Sequence, residues 1–512
     1  MIKRFCANPN GFVIFFLSRF YKRLNPNGFI SKRVPEWLVF KIKFLIIMYN
    51  TSLSDLFKHL TKTDRKQLKK IVRSPFYNQR EDVIALFDYI DAHIDKGALL
   101  MQKEKVFAAV YPNKKFDVDT LYYTMSFLTQ IIQKYLTLSE LEEHTTDAQL
   151  YLYKALLKRG AEKAADKTLS DAKNYLEKQK LRNDEYHYHH YKIGYEETKA
   201  VSKHQRGINL DFQKIADHFY YFVLSQTLKL GYNFLSQQKV SKEVINFPLI
   251  LPVINLSKNI DVAAVKMQFN AYKVSENKAN EEDDFFKLLK SEIVDRAEQF
   301  DDEELRDCLL VAINYAILKQ NQGNLDYVKE AMFLHRFGLD KKFMFEDGVL
   351  SPYYYKNAAM LALKINDFEW AENFLHDFKQ YLPATERDNI FKFNLAVFNF
   401  RKKNFDTAMN LLQEVNFKEV PLNLDVRRLL ARTYYELNEM TALFSLVENS
   451  KIYLHRQKEK VYIVEMYSNF FKFLEKILKT NLKNAADKEK IRLDITETKL
   501  LAEREWLAGL VS

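Results

Sequence analysis

The chain has 512 residues, 47% hydrophobic and 28% charged, which suits two to four compact domains or one extended solenoid and argues against wholesale disorder. Glycine and proline number only 11 and 10, too few for a turn-rich β fold, so long helices with short connections are expected. The formal charge of +11 sits mostly in residues 1–47, where nine Lys or Arg face a single Glu (Glu36), and the rest of the chain is nearly balanced.

Scarce glycine also excludes chemistry. Gly338 and Gly348 are the closest pair, so no G-x-G-x-x-G loop, phosphate-binding loop or nucleophile elbow is present. Two cysteines, Cys6 and Cys308, provide no C-x-x-C and no disulfide framework, and they fit a reducing, cytoplasmic setting.

Residues 1–47 read as a basic tail with a duplicated Asn-Pro-Asn-Gly-Phe at 8–12 and 25–29. Its apolar runs are too short to cross a bilayer, which takes about 20 residues. Either it is an interfacial anchor, the only route to a membrane contact, or translation starts at Met48 and the tail is not part of the native protein. Residues 48–140 form an expected N-terminal helical domain. Thr63-Asp64 are expected to cap a helix ending at Ser74-Pro75. Asn78 with Glu81 resembles a capping box before the stripe Val83, Leu86, Phe87, Ile90. A third helix is expected from Asp119 to Leu138, with Leu121, Met125, Leu128, Ile132 and Tyr135 on one face. Lys62, Lys66, Lys69 and Arg73 form a basic stripe, the only local hint of nucleic acid; a solvated helix face is the commoner explanation.

Residues 141–258 continue as irregular helical repeats: Ala148–Arg159 ending near Gly160, two polar helices to Ser202, then one from Asp211 to Gln237. His187 and His190 would share a helix face, with Glu185 and His204 as the only further ligands in sight and no H-E-x-x-H spacing, so no metal is expected. Over 259–480, Asp301-Asp302 start a helix carrying Leu305, Leu309, Ala312 and Ala316, and Gly323-Asn324 turn the chain before Tyr327, Val328 and Met332. An insertion is expected around Gly338–Ser351. Helices are expected at Val461–Leu478 and Ile491–Leu510, the latter within a C-terminal capping helix at 481–512.

One pattern recurs in the last half. Asp367-Phe368 precedes Ala371 and Leu375, Asn404-Phe405 precedes Ala408 and Leu412, and Asn438-Glu439 precedes Ala442 and Leu446. The alanines are 37 and 34 residues apart, and Ala359, Ala396 and Leu430 stand twelve residues before them. Small residues at fixed spacing are what stacked helical hairpins need where their helices cross. The pattern resembles the tetratricopeptide repeat (TPR) family over 353–446, with a degenerate earlier copy in which Val328 takes the alanine slot. The resemblance implies an all-α fold, a TPR-like helical-hairpin α-solenoid preceded by a smaller helical domain. It also implies binding of peptides or proteins in a groove lined by the first helix of each hairpin. In that register Lys356, Asn394 and Arg428 coincide with carboxylate-gripping positions, Met360 and Leu424 depart from them, and Phe393, Phe400 and Tyr434 lie in or near the groove.

The expected function is therefore a non-enzymatic scaffold or adaptor for a protein or peptide, with no catalytic residues, no metal and no cofactor. The charge distribution argues against nucleic acid as a partner. The alternative is a regulator whose N-terminal domain contacts nucleic acid while its repeats sense a ligand.

Overall fold

The computed structural model of the protein describes residues 51–96, 102–204, 211–241, 245–276, 282–457, 462–480 and 484–511. The basic tail and its duplicated motif lie outside them. The described chain contains 23 α-helices, three short 3-10 turns and one two-stranded ribbon, an all-α helical-repeat fold. It divides into two units, one up to Tyr151 and one from Leu152 onward.

In the first unit α1 (Ser52–His59), α2 (Lys62–Val72), α3 (Glu81–His93), α4 (Lys103–Val110) and α5 (Val118–Glu143) close around Phe57, Leu68, Phe87, Phe107, Leu121 and Leu128. The stripes Val83/Leu86/Phe87/Ile90 and Leu121/Met125/Leu128/Ile132/Tyr135 are buried, as their 3.6-residue period requires. Capping differs from the expectation. Thr61 caps α2 in a reciprocal box with Asp64, because the side chain three residues on returns to the cap's own N–H. Asn78 caps nothing. It is buried, its amide donating to the carbonyls of Val72 and Arg80, and α3 starts at Glu81 after Arg80, whose side chain makes no cap.

The second unit holds the end of α6 (Thr145–Leu157), then α7 (Glu162–Lys178), α8 (Asp184–His204), α9 (Phe212–Ser241), α10 (Ile250–Ser257), α11 (Ala263–Glu276), α12 (Glu282–Asp295), α13 (Asp302–Asn321) and α14 (Asp326–Asp340). The expected insertion follows and carries β1 (Phe345–Glu346) paired antiparallel with β2 (Val349–Leu350). Its tight turn is Asp347-Gly348, both with positive φ as a two-residue hairpin loop demands. Then come α15 (Pro352–Lys364), α16 (Phe368–Phe378), α17 (Arg387–Arg401), α18 (Phe405–Gln413), α19 (Val420–Glu436), α20 (Met440–His455), α21 (Tyr462–Lys479), α22 (Ala485–Glu497) and α23 (Arg504–Leu510). The expected terminal helix 491–510 is thus two helices, interrupted where Glu503 takes φ +53°.

Five of the hairpins are built by one device. Gly160, Gly323, Asn366, Lys403 and Asn438 each end a helix in the left-handed region. At each, the residue's own N–H bonds three residues back and the next N–H bonds five residues back, at 2.8–3.3 Å (Asn366 to Leu363 and Asp367 to Ala362, for example). This is the Schellman arrangement, which satisfies helix-end carbonyls and turns the chain sharply. Counted from it, the residues seven before and five after are Tyr153/Ala165, Ala316/Val328, Ala359/Ala371, Ala396/Ala408 and Ala431/Leu443. All ten are at most 4% exposed. The third rung therefore corrects the sequence register by one residue: Leu443, not Ala442, fills the crossing, opposite Ala431 rather than Leu430. Ala442 is half-buried beside it.

Within this unit α11 touches α13, and α15, α17, α19 and α21 touch in succession, each even-numbered helix packing between neighbours. That is the stacking of a helical solenoid. One core runs from Leu224 to Leu429, and a second joins α19, α20 and α21 to Ile491, Leu507 and Val511.

The turn device has a direct test. A Cβ at Gly160 or Gly323 meets no atom within 4 Å, so Gly160→Ala and Gly323→Ala isolate the backbone penalty. Each is expected to lower stability by about 1 kcal/mol in chemical unfolding, and Lys403→Gly to raise it by up to about 1 kcal/mol.

Candidate functional site

The first helices of the last three hairpins present aligned positions when counted back from the left-handed residue. Thirteen before it stand Tyr353, Ile390 and Asp425; ten before it, Lys356, Phe393 and Arg428; six before it, Met360, Val397 and Arg432. Asn394 is one residue out of this strip. It is buried, its amide donates to the carbonyl of Ile390 at 2.8 Å, and its Oδ1 has no partner among the described residues.

The middle hairpin contributes only apolar side chains, all buried. What covers them comes from both neighbours. Lys356 Nζ reaches across to Asp425 Oδ2 at 2.7 Å, and Tyr353 Oη donates to Glu419 at 2.9 Å. The first joins α15 to α19 and the second joins α15 to Glu419, the residue just before α19, so both bridge the two helices that flank α17 in the stack. Phe393 packs edge-on to Phe417, and Phe400 packs against Phe405 under the Arg432 guanidinium, 4.8 Å from its ring centre. Tyr434 is half-buried against the C-terminal core.

The charges form a chain. Asp425 also takes Arg428 at 3.5 Å and the Tyr467 hydroxyl, Arg428 and Arg432 both hold Glu503, and Arg432 lies between the Phe400 and Trp506 rings. Burial pushes the Asp425 carboxyl up, but Arg428 and Lys356 outweigh it and leave it below the usual carboxylate range. Burial, with Arg428 and Arg401 close by, brings the Arg432 guanidinium down to about 10. Asp425 and Arg432 share a helix face with Arg428 at helical spacing, a signal available in the sequence. Glu503, 75 residues from Arg428, had none.

A second polar cluster lies earlier in the unit. Loop 180–183 is tied to loop 298–301 by Lys180–Glu298 at 3.1 Å, the Arg182 N–H to the Gln299 carbonyl at 2.7 Å, and Asn183 to Asp301 at 2.9 Å. Asp184 and Glu304 are buried there, bonded by Gln226 and Gln268 respectively. Burial and the Asp184 charge raise the Glu304 carboxyl to about 8, against the opposing pull of Lys229. These acids stand at the N-termini of α8 and α13, where a negative side chain completes the helix end.

The expected His187/His190 face exists, and α9 adds His218 to it. His187 Nδ1 and His218 Nδ1 are 2.9 Å apart, and the His190 ring stacks on His218 at 4.3 Å and 12°. Among the described residues no group of three or more His, Cys, Asp or Glu is arranged to hold a metal, and no helix is long and apolar enough to cross a membrane. An open recess near Trp370 is lined by Asp340, Glu369 and Asn373, and there Arg336 is already neutralised by Asp367 at 2.6 Å.

No family model matches the chain, and no curated protein matches it either.

The Asp425 junction can be tested by truncation. Asp425→Ala strands Lys356 and the Tyr467 hydroxyl in a largely buried site and leaves Arg428 with Glu503 alone, and is expected to destabilise the second unit by about 3–5 kcal/mol in chemical unfolding. Asp388→Ala, which removes an exposed partner of Lys379, is expected to leave the unfolding midpoint in place.

Proposed function

We propose that this protein is a non-enzymatic scaffold or adaptor that binds a protein or peptide on TPR-like helical repeats, in a cytoplasmic setting. The observation that carries the reading is the reuse of one hairpin: five copies share a left-handed turn, its two backbone bonds and a buried pair, at least one member alanine, at fixed distances from the turn. Repeated hairpins of this kind expose a regular array of side chains, and such arrays suit extended recognition of another chain rather than chemistry at one point.

The strip containing Lys356, Phe393 and Arg428 is consumed by intramolecular contacts, as are Asn394 and Phe400. In this reading those residues, with Tyr434, hold the hairpins in register, and a partner meets the exposed row beside them. Lys364, Arg401 and Glu436 each stand two residues before a left-handed turn and are exposed. The row repeats with the hairpins, so its pattern of two cations and an acid reads a partner of complementary charge over three successive units.

Affinity purification with mass spectrometry from the native host, using the full chain and the variant Lys364→Glu/Arg401→Glu, tests this. The same protein is expected to be recovered reproducibly with the wild type and at least tenfold depleted with the variant. Absence of any reproducible partner, or undiminished recovery by the variant, would overturn the reading.

A further inference from the structure

Three imidazoles from two helices pack together inside the α8–α9 hairpin. His187 and His190 come from α8 and are only 5% and 6% exposed, and His218 comes from α9. The 2.9 Å contact between His187 Nδ1 and His218 Nδ1 requires one nitrogen to donate and the other to accept. If both rings are imidazolium, two N–H groups point at each other and the bond is lost. His190 lies flat on His218, so a charge on either ring is placed against its neighbour's face.

The surroundings offset added protons only in part: Glu177 and Asp217 favour a charge on His218, but burial and Lys214 outweigh them. From α7 come Glu177, whose carboxylate is 3.8 Å from His190 Nε2, and Lys173. Lys214 and Asp217 approach from α9, and Arg182, whose guanidinium lies over the Tyr186 ring at 4.4 Å, from the loop before α8. The remaining neighbours are the rings of Tyr186 and Tyr221. Glu177 is already shared with Lys214 at 3.5 Å and Lys173 is paired with Glu197 at 3.0 Å, so these charges largely serve one another rather than the stack.

We propose that the His187–His190–His218 stack is a proton-operated lock: neutral imidazoles hold α8 to α9, and protonation below neutrality opens that hairpin ahead of the rest of the unit. The hairpin is the element to open because the stack lies between its own two helices. The lock is independent of where a partner binds.

The direction follows from the environment. Burial, with the other two imidazoles and Arg182, lowers His187 to about 3, and burial, His218 and Lys214 lower His190 to about 3. Burial and Lys214 lower His218 as well. An exposed imidazole in the opened hairpin titrates near about 6.5. The closed state is therefore fully favoured above that pH and loses ground as pH falls from there toward 3. Each proton taken up on opening changes the opening equilibrium by up to about tenfold per pH unit, so two or more protons give a slope steeper than tenfold.

Hydrogen exchange read by mass spectrometry on the full chain, corrected for intrinsic exchange between pH 7.5 and 4.5, measures this directly. Peptides from α8 and α9 are expected to open more than tenfold per pH unit below about pH 6.5, while peptides from α15 to α18 do not. In His187→Phe/His190→Phe, which keeps rings in place and removes two titrating groups, the slope is expected to fall to tenfold or less. Equal slopes in both regions, or an unchanged slope in the variant, would overturn the proposal. If the variant does not fold, an NMR titration of histidine-labelled wild type decides: His187 and His190 should stay neutral until the hairpin opens and then change together. Separate titration of each near pH 6.5 with the hairpin still closed would refute the lock.

Discussion

The second unit depends on one geometric constraint: a fixed distance, in residues, between a left-handed turn and the two side chains that meet where the hairpin's helices cross. Seven residues back and five forward, the chain places the buried pairs Ala359/Ala371, Ala396/Ala408 and Ala431/Leu443, one on each helix of a packed hairpin. A helical hairpin cannot bury its apolar faces alone, so it is stable only when neighbours stack on it closely. Close approach needs small residues at the crossing, and the turn sets which residues those are. Loop lengths between hairpins are then free to vary, which is why the crossings on the second helices recur at 37 and then 35 residues.

A second layer of constraint is electrostatic. Lys356, Asp425, Arg428, Glu503 and Arg432 are charges removed from most solvent, and each carboxylate in the chain serves at least two cations. Desolvating charges is costly, and a buried pair is tolerated only when its remaining valences are filled. Here the Tyr467 hydroxyl and the Phe400 and Trp506 rings do that. The result is that α15 is joined to α19, its neighbour but one in the stack, and the C-terminal segment is fastened by Glu503. Lys356, Phe393 and Arg428, aligned by the hairpin register, all make intramolecular contacts in this structure.

Much of the architecture was legible in the sequence because it rests on local periodicity. The stripes of α3 and α5 are buried as their spacing implies, and Ala371 and Ala408 sit where an asparagine or aspartate followed by phenylalanine placed them. The third rung was read one residue early because Asn438-Glu439 imitates that pair, whereas Asn438 is itself the left-handed residue and the counterpart of Asn366 and Lys403. Lysine carries no turn signal, so Lys403 gave no warning that the count starts there. Gly160 marks a fifth hairpin that residue similarity does not connect to the ladder, since its crossing pair is Tyr153 and Ala165. The ribbon at 345–350 had a usable signal in Asp347-Gly348. The partners of Lys356 and Arg428 did not, because Asp425 and Glu503 lie 69 and 75 residues away and only folding brings them together.

The most direct measurement of the hairpin register compares Ala431→Leu with Ala442→Leu in chemical unfolding of the full chain. Ala431 is fully buried in the crossing and Ala442 is half-buried beside it. Overpacking at Ala431 is expected to cost about 1–3 kcal/mol, with Ala442→Leu close to neutral. A large loss at Ala442 and none at Ala431 would contradict the register, and with it the rule that the left-handed turn fixes the crossing.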